Sequence, residues 1–124
     1  MHRSRLAGFI IDCEAADLDA AAAFWSAALG LPRLGREGEA YERLDAAAHG
    51  LVVEVQRVSH ASRVHLDIES DDVEAEASRL EKLGAHRVAR VNTWWVMEAP
   101  TGQRFCIVRA KTPLDGQPGT ATYD

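Results

Sequence analysis

The feature that most limits the fold is that the chain states one pattern twice. The stretch VHLDIESDDVEAEASRLEKLGA, Val64 to Ala85, restates FIIDCEAADLDAAAAFWSAALGL, Phe9 to Leu31, in different residues. Laying Asp17 over Asp72 sets Ile10 against His65 and Asp12 against Asp67, and both copies close on a Leu-Gly pair, Leu29-Gly30 and Leu83-Gly84. Each copy opens with the alternation of a half-buried strand. Phe9, Ile11 and Cys13 form the apolar face of the first; Val64, Leu66 and Ile68 form that of the second, with His65, Asp67 and Glu69 opposite. Helical signals follow. Asp17 and Asp71 or Asp72 suit N-caps, and Gly30 and Gly84 suit the left-handed position beyond a helix. Leu18, Ala21, Phe24, Trp25 and Leu29 recur at helical spacing, as do Val73, Ala77 and Leu80, and the Phe24-Trp25 pair reads as core.

A chain of 124 residues can build one core but not two independent ones, so two half-sized modules sharing one domain are expected. Short strand-like runs follow each helix: Glu39 to Asp45 and Leu51 to Val58 in the first copy, and His86 to Val91, Thr93 to Ala99 and Arg104 to Ala110 in the second. The pattern is βαβββ twice, an α+β fold. The tail from Lys111 to Asp124, with Pro113, Gly116, Pro118 and Gly119, is expected to be an irregular extension.

A net charge of -5 without a basic stripe argues against nucleic acid and anionic membranes as partners. The apolar run near the start is broken by Asp12 and Glu14 and is too short for a signal peptide or a membrane span, so a cytoplasmic location is expected. Cys13 and Cys106 show no zinc-site spacing, fit a reducing compartment, and read first as packing residues. His2, His49, His60 and His86 are scattered, with no HExxH motif and no nucleophile elbow, and read as solvated side chains.

The doubled pattern, with AAFWSAALGL after the first strand, VHLDIESDD opening the second module and APTGQRFCIV closing it, resembles the vicinal oxygen chelate superfamily. That superfamily includes glyoxalases, extradiol dioxygenases and bleomycin- or fosfomycin-resistance proteins. The likeness is to its small glyoxalase-like domains and covers about residues 6 to 110. It implies a single domain over residues 1–110, with modules at about 6–58 and 63–110, whose mixed sheet curls around a concave pocket with the helices outside. It also implies a homodimer.

In that superfamily the first and last strands of each module supply the ligands of a divalent metal. The matching positions here are Ile10, Glu54, His65 and Cys106. Ile10 cannot bind metal, and Cys106 stands where glutamate is usual. Glu54, His65 and Cys106 remain, a set closer to zinc chemistry than to magnesium, manganese or iron, with one position open for water or substrate. Against this stand a neutral pocket histidine at His65, a Glu54–Arg104 ion pair and a merely buried Cys106. The missing fourth ligand leads to the expectation of a degenerate metal site: a pocket that binds a small organic molecule without an essential metal. The alternative is a divalent-metal-dependent lyase, isomerase or dioxygenase.

Strand parity gives the expected lining. With Glu54 and His65 inward, Val52, Gln56, Asp12, Asp67, Arg104 and Val108 share their faces, while Val53, Val55, Phe105 and Ile107 turn to the helices. Arg104 is either the anchor of an anionic ligand or a partner of Glu54, Asp67 or Asp12. Trp95, aligned with the Tyr41 region, is expected as an aromatic wall beside Tyr41. The expected pocket is therefore Tyr41, Glu54, Gln56, His65, Asp67, Trp95, Arg104 and Cys106.

Overall fold

The computed structural model describes all 124 residues. The elements run β1 (His2–Glu14), α1 (Leu18–Leu29), β2 (Arg33–Glu37), β3 (Tyr41–Leu44), β4 (Val52–Val58), β5 (Arg63–Ser70), α2 (Val73–Lys82), β6 (His86–Val91), β7 (Trp94–Glu98), β8 (Arg104–Arg109) and β9 (Ala121–Tyr123), with a short 3-10 turn at Ala47–His49. The fold is α+β, and βαβββ occurs twice in succession, as the repeat requires. No helix is long and apolar enough to cross a membrane.

Two compact units share the chain, residues 8–65 in one and residues 1–7 with 66–124 in the other. β1 and β5 each contribute to both. In the first unit the hydrogen-bonded order is β2-β3-β4-β1, with β1 parallel to β4 and β3 antiparallel to β4. Helix α1 starts where the Asp17 carboxylate accepts the amide of Ala20 at 3.2 Å, and it stops at Gly30, whose φ of 68° is left-handed. Its Leu18 packs with Ile11, Leu44, Val53 and Val55, and Trp25 and Cys13 lie against that cluster. Phe24 corrects the core reading of the aromatic pair: it is 62% exposed and meets Trp25 edge-on.

In the second unit the order is β1-β5-β8-β7-β6, with β9 antiparallel to the opening residues of β1. Helix α2 is capped by Asp72, which accepts the amide of Ala75 at 3.0 Å, and its core cluster is Ala77, Ala85, Met97 and Ile107. Val64, in the first unit, and Leu66, in the second, were expected to be half-buried; they are 56% and 52% exposed. The tail also departs from expectation, because Ala121–Tyr123 is a strand, not part of an irregular extension. A buried polar cluster explains how it is held. The fully buried Glu76 carboxylate takes His2 Nε2 at 2.8 Å and a two-pronged contact from Arg79 at 2.8 and 2.9 Å. The Arg79 guanidinium lies 3.7 Å over the Tyr123 ring.

Candidate functional site

The core clusters fix which side of each sheet is available for chemistry. In the first unit Ile11, Val53 and Val55 face α1, so period-two alternation puts Ile10, Asp12, Glu54 and Gln56 on the other face. The register sets Ile10 beside Glu54, Asp12 beside Gln56, and Tyr41 beside Gln56. Tyr41, Glu54 and Gln56 thus share one face of this sheet. Ile10 is 3% exposed there.

In the second unit Phe105 and Ile107 pack toward α2, leaving Arg104, Cys106 and Val108 on the face away from the helix. Cys106 is the register partner of Asp67 and of Val96, and Arg104 pairs with Glu98, whose carboxylate lies 3.4 Å from its guanidinium. Trp95 is not on this face. It shares the helix side with Met97, packs on the α2 cluster, and donates Nε1–H to Glu74 of α2 at 2.6 Å, with Arg87 and Arg90 stacked against its ring. Placing Met97 over Leu44, both fully buried, shows the cause: Trp95 then matches Glu42, and Trp94 matches Tyr41. Trp94 is the tryptophan of the polar face, and core parity in β7 would have identified it.

The donor group centres on β5. His65 and Asp67 sit two residues apart on one side of that strand, with Cys106 beside Asp67, and the ligand atoms of the three lie within 4.8 Å of one another. This group includes Asp67, and Glu54 is not one of its three donors. Asp12, which that reading placed only among polar neighbours, proves to be the residue behind the histidine: its Oδ2 lies 2.7 Å from His65 Nδ1, and its side chain is 1% exposed. Against a carboxylate acceptor Nδ1 is the donor edge of the ring, and Nε2 is its other edge. Arg63 Nε stands 3.6 Å from the same Oδ2.

A nitrogen, a carboxylate oxygen and a sulfur form a borderline-soft set that fits zinc, whereas magnesium and manganese favour oxygen-rich cages. Ligands around tetrahedral zinc stand roughly 3.3 to 3.8 Å apart for bonds of about 2.0–2.3 Å, inside the 4.8 Å limit that bounds these three donors. Cys13 has no such company. It packs on the α1 core, and burial pushes its thiol pKa up. A separate surface groove of about 260 Å³ opens at the start of α2, beside Asp72, Glu74, Arg90 and Arg109. Arg90 there is already paired with Glu74 at 2.7 Å, so the groove offers no converging donors comparable to those on β5.

Comparison with known proteins gives a consistent assignment. Residues 8–108 match the family model of the glyoxalase-like domain. No curated protein sequence matches. Among solved structures, a hypothetical protein from Bacillus halodurans C-125 superposes with a TM-score of 0.68 at 12% identity, over 89% of this chain and 96% of that one. Methylmalonyl-CoA epimerase from Mycobacterium tuberculosis gives 0.64 at 16% identity, over 90% and 91%. The Mn(II)-bound glyoxalase from Novosphingobium aromaticivorans gives 0.60 at 20% identity, over 86% of this chain and 40% of that one. At these identities the likeness is one of fold.

Proposed function

The chain belongs to the glyoxalase-like domain family, and from that premise we propose that it binds a small, oxygen-bearing organic anion beside a zinc-class divalent metal held by His65, Asp67 and Cys106. The observation that carries this reading is the convergence of those three donors within 4.8 Å, with Asp12 hydrogen-bonded behind the histidine. This favours the metal-dependent alternative over a metal-free pocket, and it exchanges Glu54 for Asp67 in the ligand set.

When bound, zinc supplies Lewis acidity toward a carbonyl or carboxylate oxygen and has no redox chemistry. That supports an isomerase- or lyase-type reaction rather than oxygen activation. The protein groups divide the remaining work. Arg104, two residues from Cys106 on the same face of β8, receives a carboxylate through its planar fork once it turns from Glu98. Trp94, on that face of β7, offers an apolar wall. The charges of Asp67 and Cys106 balance a dication, which limits the cost of holding it away from bulk water.

The test is metal analysis of protein purified without an affinity tag. Near-stoichiometric zinc in the wild type, lost in His65→Ala, is the expected result. Metal-free protein that retains a tight small ligand would return the function to plain binding.

A further inference from the structure

Asp12 is buried, acidic and remote from the three donors in sequence, and its geometry is unusual enough to need a reason. Its side chain is 1% exposed, yet Oδ2 meets only His65 and Arg63, and Oδ1 is buried without a hydrogen-bond partner. A buried carboxylate with one oxygen undonated is costly unless its charge is offset nearby. Arg63, 46% exposed and 3.6 Å away, offsets it weakly. Charge beyond the imidazole ring would offset it better, because a cation on Nε2 polarises the ring and strengthens the Nδ1–H bond to Oδ2.

We propose that Asp12 is a positioning residue that locks His65 as the Nδ1–H tautomer, aims Nε2 as a ligand, and thereby makes the β5 site selective for a thiophilic dication over a hard one. The inference rests on the metal reading above and adds to it a residue that touches no metal. Asp12 acts through His65, and Cys106 supplies the preference for soft ions. The charges agree: a dication with Asp67 and thiolate Cys106 is neutral, and Asp12 with Arg63 is neutral behind it.

The experiment has two arms on the full chain. The first records nitrogen-15 spectra of the His65 ring in metal-free wild type, Asp12→Ala and Asp12→Asn. The wild type should show a single Nδ1–H tautomer, and Asp12→Ala should shift the ring to the mixture of a free imidazole. A fold defect in Asp12→Ala leaves Asp12→Asn, which keeps the shape and loses the charge, to show a smaller shift in the same direction. The second arm titrates zinc and manganese against a chromophoric chelator. Removing Asp12 should weaken zinc about 10- to 100-fold, the usual effect of losing the group behind a metal-binding histidine, and Cys106→Ser should erase most of the preference for zinc over manganese. An unchanged tautomer together with zinc affinity within twofold of wild type overturns the role of Asp12. A wild type that binds no zinc defeats the metal reading itself, and the ring spectra, taken without metal, tell that failure from the other.

Discussion

Where the first module opens with Gly8 and Ile10, the second has Arg63 and His65 at the matching positions of the repeat. Both strands alternate in the same way and both lead into a helix capped by an aspartate, yet at the position where β1 has Ile10, β5 has a histidine. The backbone plan depends on which residues are apolar at every second or every third and fourth position, and both copies satisfy that with different residues. The side of each sheet away from its helix is under no such demand, so chemistry can differ between copies while the fold is kept. The helix side also carries one polar exchange. Glu42 of β3 is held by Arg33, at 2.6 Å for one of its contacts, whereas β7 has Trp95 at the equivalent place and answers it with Glu74 from α2.

The largest contrast between the copies lies at Gly8. A Cβ there would fall 1.7 Å from the carbonyl oxygen of Val52, because β1 and β4 run close and parallel at that point. Gly8→Ala should cost about 3 kcal/mol or more, the upper range for overpacking, since the clash is with backbone and no rotamer relieves it. Arg63→Ala, at the corresponding place, should cost under about 1 kcal/mol. Urea unfolding of the pair measures this; similar midpoints would mean that the two strand openings are equivalent after all.

The next effect is the pH dependence of Glu76, which stands where the first module has Ala21. Burial raises its pKa, but hydrogen bonds from Arg79, His2 and Ser4 overcome this and hold it at about 2. A carboxyl depressed in the folded state stabilises fully above its unfolded pKa of about 4.3, and that contribution is lost as pH falls from there toward 2. Glu76→Gln should lower stability by about 2 kcal/mol at neutral pH, with the deficit shrinking through the same acid range. Thermal melts from neutral pH to pH 2 follow it; a deficit that does not change with pH would assign the loss to packing.

The smallest effects should be nearly equal. Asp17→Ala and Asp72→Ala remove matching caps at 3.2 and 3.0 Å, and each should cost about 1 kcal/mol. Unequal losses would show that one helix depends on its cap and the other on its core.

These same positions show what could be read in advance. The caps, Gly30 and the buried faces of β4 and β8 follow from local rules, and so were legible in the residues themselves. Trp95 was misplaced because two adjacent tryptophans look alike until Met97 fixes the parity of β7. Phe24 sits at helical spacing but on the edge of the apolar stripe, and spacing does not report how wide a groove the sheet offers. The partnership of Asp12 with His65 depends on two residues far apart in sequence, and no local pattern records that. β9 was hidden for a similar reason, since three residues among glycines and prolines become a strand only when His2–Ser4 lie alongside.

That short strand bears on the solubility of the protein. An open strand edge is a template on which further chains can add, and the two outermost strands discourage this with irregular register and charge, at Arg33 and Gly35 in β2 and at Arg87 and Ala89 in β6. Along β1, β9 pairs with His2 to Ser4 and β4 with Gly8 to Glu14, so β9 acts as a cover over hydrogen-bonding groups that β4 does not reach. Its three residues, held by Tyr123 under Arg79, thereby serve colloidal stability: they keep one molecule from becoming the seed for a growing ribbon of its copies.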